Sequence, residues 1–187
     1  MVPRWVVFLV LVTLSAVADG KPGKGFWKVL VTPKAKWVLH DKVLDKADTI
    51  TVETYDVRRV GTADVARLRW MHGKEPMGST VLTPTQVAVT SAGIYLMDAE
   101  LDDAKVAEQL KKSPSRSDPP KEYQGTKVNN GRYLRVDGNS VCMGDAPVPD
   151  KTSEPCADTC FAEVCVSDRG IESISGNAAP GNTMFER

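Results

Sequence analysis

Histidine is scarce in this chain of 187 residues, occurring only as His40 and His72. Two imidazoles exclude a His-rich metal site, and neither stands in an H-E-x-x-H spacing. The G-x-S-x-G elbow and the G-x-x-x-x-G-K-[ST] phosphate loop are missing too, which removes the commonest hydrolase and nucleotide-binding signatures. Lys and Arg together number 24, as do Asp and Glu, so the chain lacks the excess of positive charge that a nucleic-acid partner demands. No C-x-x-C pair occurs, and without it the lowered thiol pKa of a dithiol redox centre has no basis.

What is present begins with an export signal. Arg4 precedes the apolar run opened by Trp5-Val6-Val7-Phe8-Leu9-Val10-Leu11-Val12, and Ser15-Ala16-Val17-Ala18 supplies small residues before Asp19. This order predicts a secretory signal peptide over residues 1–18, cleaved after Ala18. The run covers roughly 12 residues against the about 20 needed to span a bilayer, so no transmembrane segment is expected in the mature chain. The predicted location is the periplasm or the extracellular space.

Charge is unevenly distributed. Residues 19–46 carry seven Lys against Asp19, Asp41 and Asp45, while residues 137–187 carry nine acids against Lys151, Arg169 and Arg187. Residues 19–26 read as a flexible Lys/Gly arm. Solvated faces account for the asymmetry, and the Lys-rich end is also suited to an anionic envelope polymer or a lipid headgroup.

The four cysteines, Cys142, Cys156, Cys160 and Cys165, all follow the predicted signal and are even in number. In an exported chain they read as two disulfides, with three pairings open. A four-thiolate zinc site is disfavoured, since the spacings lack paired C-x-x-C knuckles. No metal or other cofactor is expected.

Residues 27–187 read as a single β-rich domain with a cysteine-stapled subregion over 126–187. Trp27, Val29 and Val31 alternate with Lys28 and Leu30, and Lys36–His40 resumes the pattern after Pro33, which predicts two short strands or one interrupted strand. Residues 49–57 are rich in β-branched side chains and give the clearest strand. In residues 65–70, Leu68 and Trp70 share one face and Arg67 and Arg69 the other. Strands at 86–90 and 94–98 flank a turn containing Gly93, and Asn130-Gly131 and Asp137-Gly138 predict further hairpins. A last pair, 162–167 and 171–174, turns at Asp168-Arg169-Gly170.

One helix of about ten residues is predicted after a cap at Asp102 or Asp103, with Val106, Ala107 and Leu110 on its inner face and Glu108 paired with Lys112. The Pro-rich segment 113–120 reads as an exposed loop. The fold class is therefore mainly antiparallel β (α+β): a curled or sandwich-like sheet of about nine or ten strands with one short helix and a disulfide-stapled C-terminal part.

Candidate chemistry is thin. His40-Asp41 places an imidazole beside a carboxylate, but neighbours on a strand face opposite ways. Glu100, Asp102 and Asp103 form the densest acidic cluster, which helix capping explains better than calcium. Asp145, Asp150, Asp158 and Asp168 near the cysteines offer calcium weak ligation at most. Arg116 on an exposed loop has the general form that a trypsin-like protease accepts. Trp27, Trp37, Trp70 and Tyr95 suit a β core or the lining of an apolar cavity. The expectation is a non-enzymatic exported binding or interaction module whose partner is a protein, an envelope polymer or a hydrophobic ligand. Its alternatives are a carrier with a curled sheet around a lipid-like ligand and a small hydrolase using His40 or His72.

Overall fold

A computed structural model of the chain describes residues 22–43, 47–79, 82–121, 132–145, 160–178 and 181–187. The predicted signal peptide, the Asn130-Gly131 turn, Asp150, Asp158 and Cys156 lie outside these residues. The first element is a 3-10 helix, η1 (Phe26–Val31). Twelve strands follow, interrupted by one α-helix: β1 (Lys36–Asp41), β2 (Thr49–Val60), β3 (Ala63–His72), β4 (Glu75–Pro76), β5 (Gln86–Thr90), β6 (Gly93–Met97), α1 (Asp103–Gln109), β7 (Arg116–Ser117), β8 (Arg132–Asp137), β9 (Ser140–Asp145), β10 (Cys160–Ser167), β11 (Gly170–Ala178) and β12 (Gly181–Glu186). No helix among the described residues is long and apolar enough to cross a membrane.

The strands form one sheet in the order β7-β6-β5-β3-β2-β1-β12-β11-β10-β9-β8, with β4 attached to β3. Every pairing is antiparallel. The chain runs outward from β1 to β7, and β8 to β12 bring it back to pair with β1, joining the two halves of the sheet. The sheet curls into a half-barrel.

Period-two alternation sends Trp37 and Leu39 of β1, Ile50 and Val52 of β2, and Leu68 and Trp70 of β3 to the concave face. There they join Val141, Met143, Val164, Val166, Ile174 and Phe185 from the other half in one buried cluster. Phe26, Trp27, Leu30 and Val31 of η1 belong to the same cluster. The concave side of the sheet is thus packed by a helix of this chain. On the convex side, α1 sets Val106 against Val65, Ala88, Tyr95 and Met97 in a second buried cluster. Strand β5 lies between the two layers, which explains why Gln86, Val87, Ala88 and Val89 are all buried.

Several expectations are corrected. Residues 27–31 form a 3-10 helix where alternation predicted a strand. Gly25 takes the left-handed conformation, and short-range bonds such as Lys28 N–H to Gly25 C=O and Thr32 N–H to Val29 C=O close the turns. The burial of residues 26, 27, 30 and 31 suits a helix that lies on a sheet, and Leu30, read as outward, is inside. The described residues hold twelve strands because residues 75–76, 116–117 and 181–186 also pair. Arg116 is half-buried beside Ile94 of β6 and is not held out on a loop. Helix α1 is shorter than predicted; Ala107 is exposed, and Glu108 meets Lys111 at 2.6 Å in place of Lys112.

Two glycines are required by close approach. Gly93 starts β6 at φ 146°, and a Cβ there would lie 1.8 Å from the Arg116 carbonyl oxygen. Gly170 has φ 114°, and a Cβ there would lie 1.8 Å from Trp37 Nε1.

Candidate functional site

The antiparallel register places four hairpin turns at one end of the sheet: 61–62, 91–92, 138–139 and 168–169. The beginning of η1 lies among them. It is fixed there by two long-range bonds, Gly25 N–H to Asp118 Oδ2 at 2.7 Å and Trp27 Nε1–H to the Ser117 carbonyl at 2.8 Å. Trp27 is wholly buried, so the anchored segment presents two exposed lysines, Lys24 just before η1 and Lys28 within it.

Two clefts flank this anchor. One, of about 470 Å³, lies toward the 138–139 and 168–169 turns and is lined by Lys24, Lys28, Val29, Thr32, Asn139 and Asp168 among others. The second, of about 570 Å³, lies toward the 61–62 and 91–92 turns, where Arg59, Thr62, Thr90 and Ser91 face Lys24 and Lys28. Volumes of this size accommodate small ligands or short stretches of a polymer. Arg59 is paired with Asp64 at 2.8 Å, and Asp118 is engaged by the Gly25 amide. Among the described residues no carboxylate pairs with Lys24 or Lys28, and both lysines line both clefts.

The histidines are not brought together. His40 is exposed on the convex face of β1 opposite Glu186 of β12, while Asp41 is buried on the concave side. The alternation that argued against a His40–Asp41 pair therefore holds. His72 sits at the far end of the sheet, with its Nε2 2.6 Å from Asp48 Oδ2 and its ring edge-on to Phe185. Sequence reading missed this pair, because the β2–β3 register joins residues 24 apart. No hydroxyl or thiol among the described residues hydrogen-bonds to either histidine.

The acidic cluster has separate structural duties. Asp102 caps α1 by accepting from the Lys105 amide at 2.9 Å, which holds its carboxyl below the ordinary value. Asp103 accepts from Arg58 Nε at 2.7 Å, and Glu100 accepts from the Tyr55 hydroxyl at 2.6 Å. Burial, then the bond to Glu100, pushes the Tyr55 phenol up. Beside it, the bond from Lys36 is the main cause that lowers the Glu53 carboxyl. The Arg58–Asp103 pair ties α1 to β2, and the Lys36–Glu53 pair ties β1 to β2.

Cys142 and Cys165 form a disulfide between directly opposed residues of β9 and β10. The bridge links cysteines 23 residues apart in sequence. Cys160 lies at the start of β10, opposite Asn177 of β11. Beside the bridge, the Arg135 guanidinium grips both oxygens of Glu163 at 3.0 and 2.9 Å. That bond, more than the second one to Asp137, raises the Arg135 pKa above its ordinary value.

Compared with models of known protein families, with curated proteins and with solved structures, the chain matches none.

Proposed function

We propose that the protein is an exported, disulfide-braced, non-enzymatic binding module that holds an anionic envelope polymer across the turn-rimmed end of its sheet. The observation that carries this reading is the position of Lys24 and Lys28, which line both clefts and lack carboxylate partners among the described residues. A cationic ridge with a cleft on each side suits an extended chain that crosses it. The hydroxyls of Thr62, Thr90 and Ser91 and the amide of Asn139 add hydrogen-bonding groups suited to a polyhydroxylated polymer. Export rests on the sequence of residues 1–18 and agrees with the disulfide.

The carrier alternative has less support, because η1 fills the concave face with Phe26, Trp27, Leu30 and Val31. The hydrolase alternative rests on His72–Asp48, a pair that no nucleophile completes among the described residues.

Binding of the mature protein to polygalacturonate and to neutral dextran, followed by titration calorimetry at low and high salt, tests the proposal. Binding to the acidic polymer alone, weakened by salt and lost in Lys24→Glu/Lys28→Glu, is the expected result. Equal binding by that variant, or no binding to the acidic polymer by either protein, overturns it.

A further inference from the structure

We propose that Cys142, Cys165 and Glu163 form a latent zinc site, closed while the two cysteines are joined and opened when a dithiol reduces them. Nothing in this proposal depends on the polymer-binding reading.

The geometry starts from strand register. Val141, Met143, Val164 and Val166 point into the concave core, so Cys142, Cys165 and Glu163 between and beside them point to the convex face. Cys142 and Cys165 are opposite one another, and Glu163 lies two residues before Cys165 on the same side. One ligand atom from each of the three lies within 4.8 Å of the others. Both cysteines are shielded, at 1% and 8% exposure. Glu163 Oε1 lies 3.5 Å from Cys165 Sγ. A disulfide sulfur has no hydrogen to donate, so this approach is not a hydrogen bond in the joined state. It brings a carboxylate to the sulfur pair without a bond to hold it there, and Arg135 supplies the hold from β8.

The ladder, more than the disulfide, sets where these donors stand. β9 is paired with β8 on its other side and β10 with β11, so the ligand positions belong to a four-strand segment. Tetrahedral zinc with Zn–S bonds of about 2.3 Å separates its sulfurs by about 3.8 Å. The two Cα atoms are 4.0 Å apart, so side chains projecting side by side reach that separation without displacement of the strands.

The chemistry balances. A dithiol gives two electrons and two protons to the S–S bond, which breaks to two thiols as the reductant becomes a cyclic disulfide. Zinc then displaces the two thiol protons to solvent and forms two Zn–S bonds and one Zn–O bond, leaving a fourth position for water. Two thiolates and a carboxylate carry three negative charges, which Zn²⁺ and the Arg135 guanidinium offset. Thiolate donors favour zinc over calcium or magnesium, whose ligands are oxygens.

The test uses the full mature chain carrying Cys156→Ser and Cys160→Ser, so that the only thiols are those of the site. After phosphine reduction and desalting, Co²⁺ is titrated while the sulfur-to-cobalt charge-transfer band and far-ultraviolet circular dichroism are recorded, and Zn²⁺ is then added to displace it. The expected result is one equivalent of cobalt bound by the reduced protein and none by the oxidised one, an unchanged strand spectrum, and at least tenfold weaker binding in Glu163→Gln. A reduced, folded protein without the band, affinity indifferent to Glu163→Gln, or loss of the strand spectrum on reduction each overturns the proposal. If the serine variant does not fold, the reduced wild-type chain is compared with Cys142→Ser/Cys165→Ser. The expected difference is then one bound equivalent, and no difference overturns the site.

Discussion

The side-chain amide of Gln86 pairs with the backbone of Leu101 as a neighbouring strand would, accepting from its N–H at 2.6 Å and donating to its C=O at 3.3 Å. Gln86 is fully buried, and its two bonds hold the peptide that leads into α1. Replacement by Leu keeps the volume and removes both partners from a segment that is only partly reached by water. Such a loss costs about 1–3 kcal/mol. Urea unfolding followed by tryptophan fluorescence is expected to show a lower midpoint for Gln86→Leu. An unchanged midpoint in the Leu variant would show that the bonds contribute nothing.

The contact between Gly170 and Trp37 gives a paired experiment. Gly61 and Gly170 both have positive φ, but a Cβ at Gly61 meets nothing within 4 Å, whereas at Gly170 it strikes the Trp37 indole. Gly61→Ala therefore reports the backbone cost alone, about 1–2 kcal/mol. Gly170→Ala must also displace Trp37, whose Nε1–H donates to the Arg169 carbonyl at 3.0 Å. Thermal melts should place Gly170→Ala clearly below Gly61→Ala, with a shift in tryptophan emission for the former only. Equal melting temperatures would mean that the indole moves aside at no cost.

How much of this was legible in the sequence depends on range. Alternation identifies β2 and β3, and Asp137-Gly138 and Asp168–Gly170 mark the β8–β9 and β10–β11 hairpins, because each signal is local. The same signal misreads residues 27–31, where Trp27 and Leu30 join a buried cluster drawn from strands as distant in sequence as β12. The short pairs at 75–76 and 116–117 exist only because β3 and β6 offer them an edge. Lys24 and Lys28 are visible as part of a Lys-rich beginning, but the clefts beside them come from four turns that register alone gathers. The three possible cysteine pairings likewise become decidable for Cys142 only when β9 and β10 are aligned.

The N-cap of α1 makes an acid-pH prediction with a definite sign. The Asp102 carboxyl is held below its ordinary 3.8, chiefly by the Lys105 amide. A depressed folded-state value means that the contribution to stability is complete above the unfolded value and is lost as pH falls through the folded one. Wild type and Asp102→Ala should therefore differ in melting temperature at pH 6 and converge as the medium is taken well below pH 3.8. A difference that stays constant down to the lowest pH would show that the cap acts without its charge.

The Cys142–Cys165 bridge spans 23 residues of sequence, and restricting a loop of that size in the unfolded chain stabilises the fold by about 3 kcal/mol. The effect acts on the unfolded state, so it should appear in Cys142→Ser/Cys165→Ser as a lower urea midpoint with a steeper dependence on denaturant, because the uncrosslinked unfolded chain exposes more surface. Native strand content should be retained, since β9 and β10 are each flanked by a second partner, β8 and β11 respectively. Circular dichroism before denaturation separates the two effects. A variant that has lost its strands in the absence of urea would show that the bridge is needed to form the β8–β11 segment, and would remove the basis for donors held by the ladder alone.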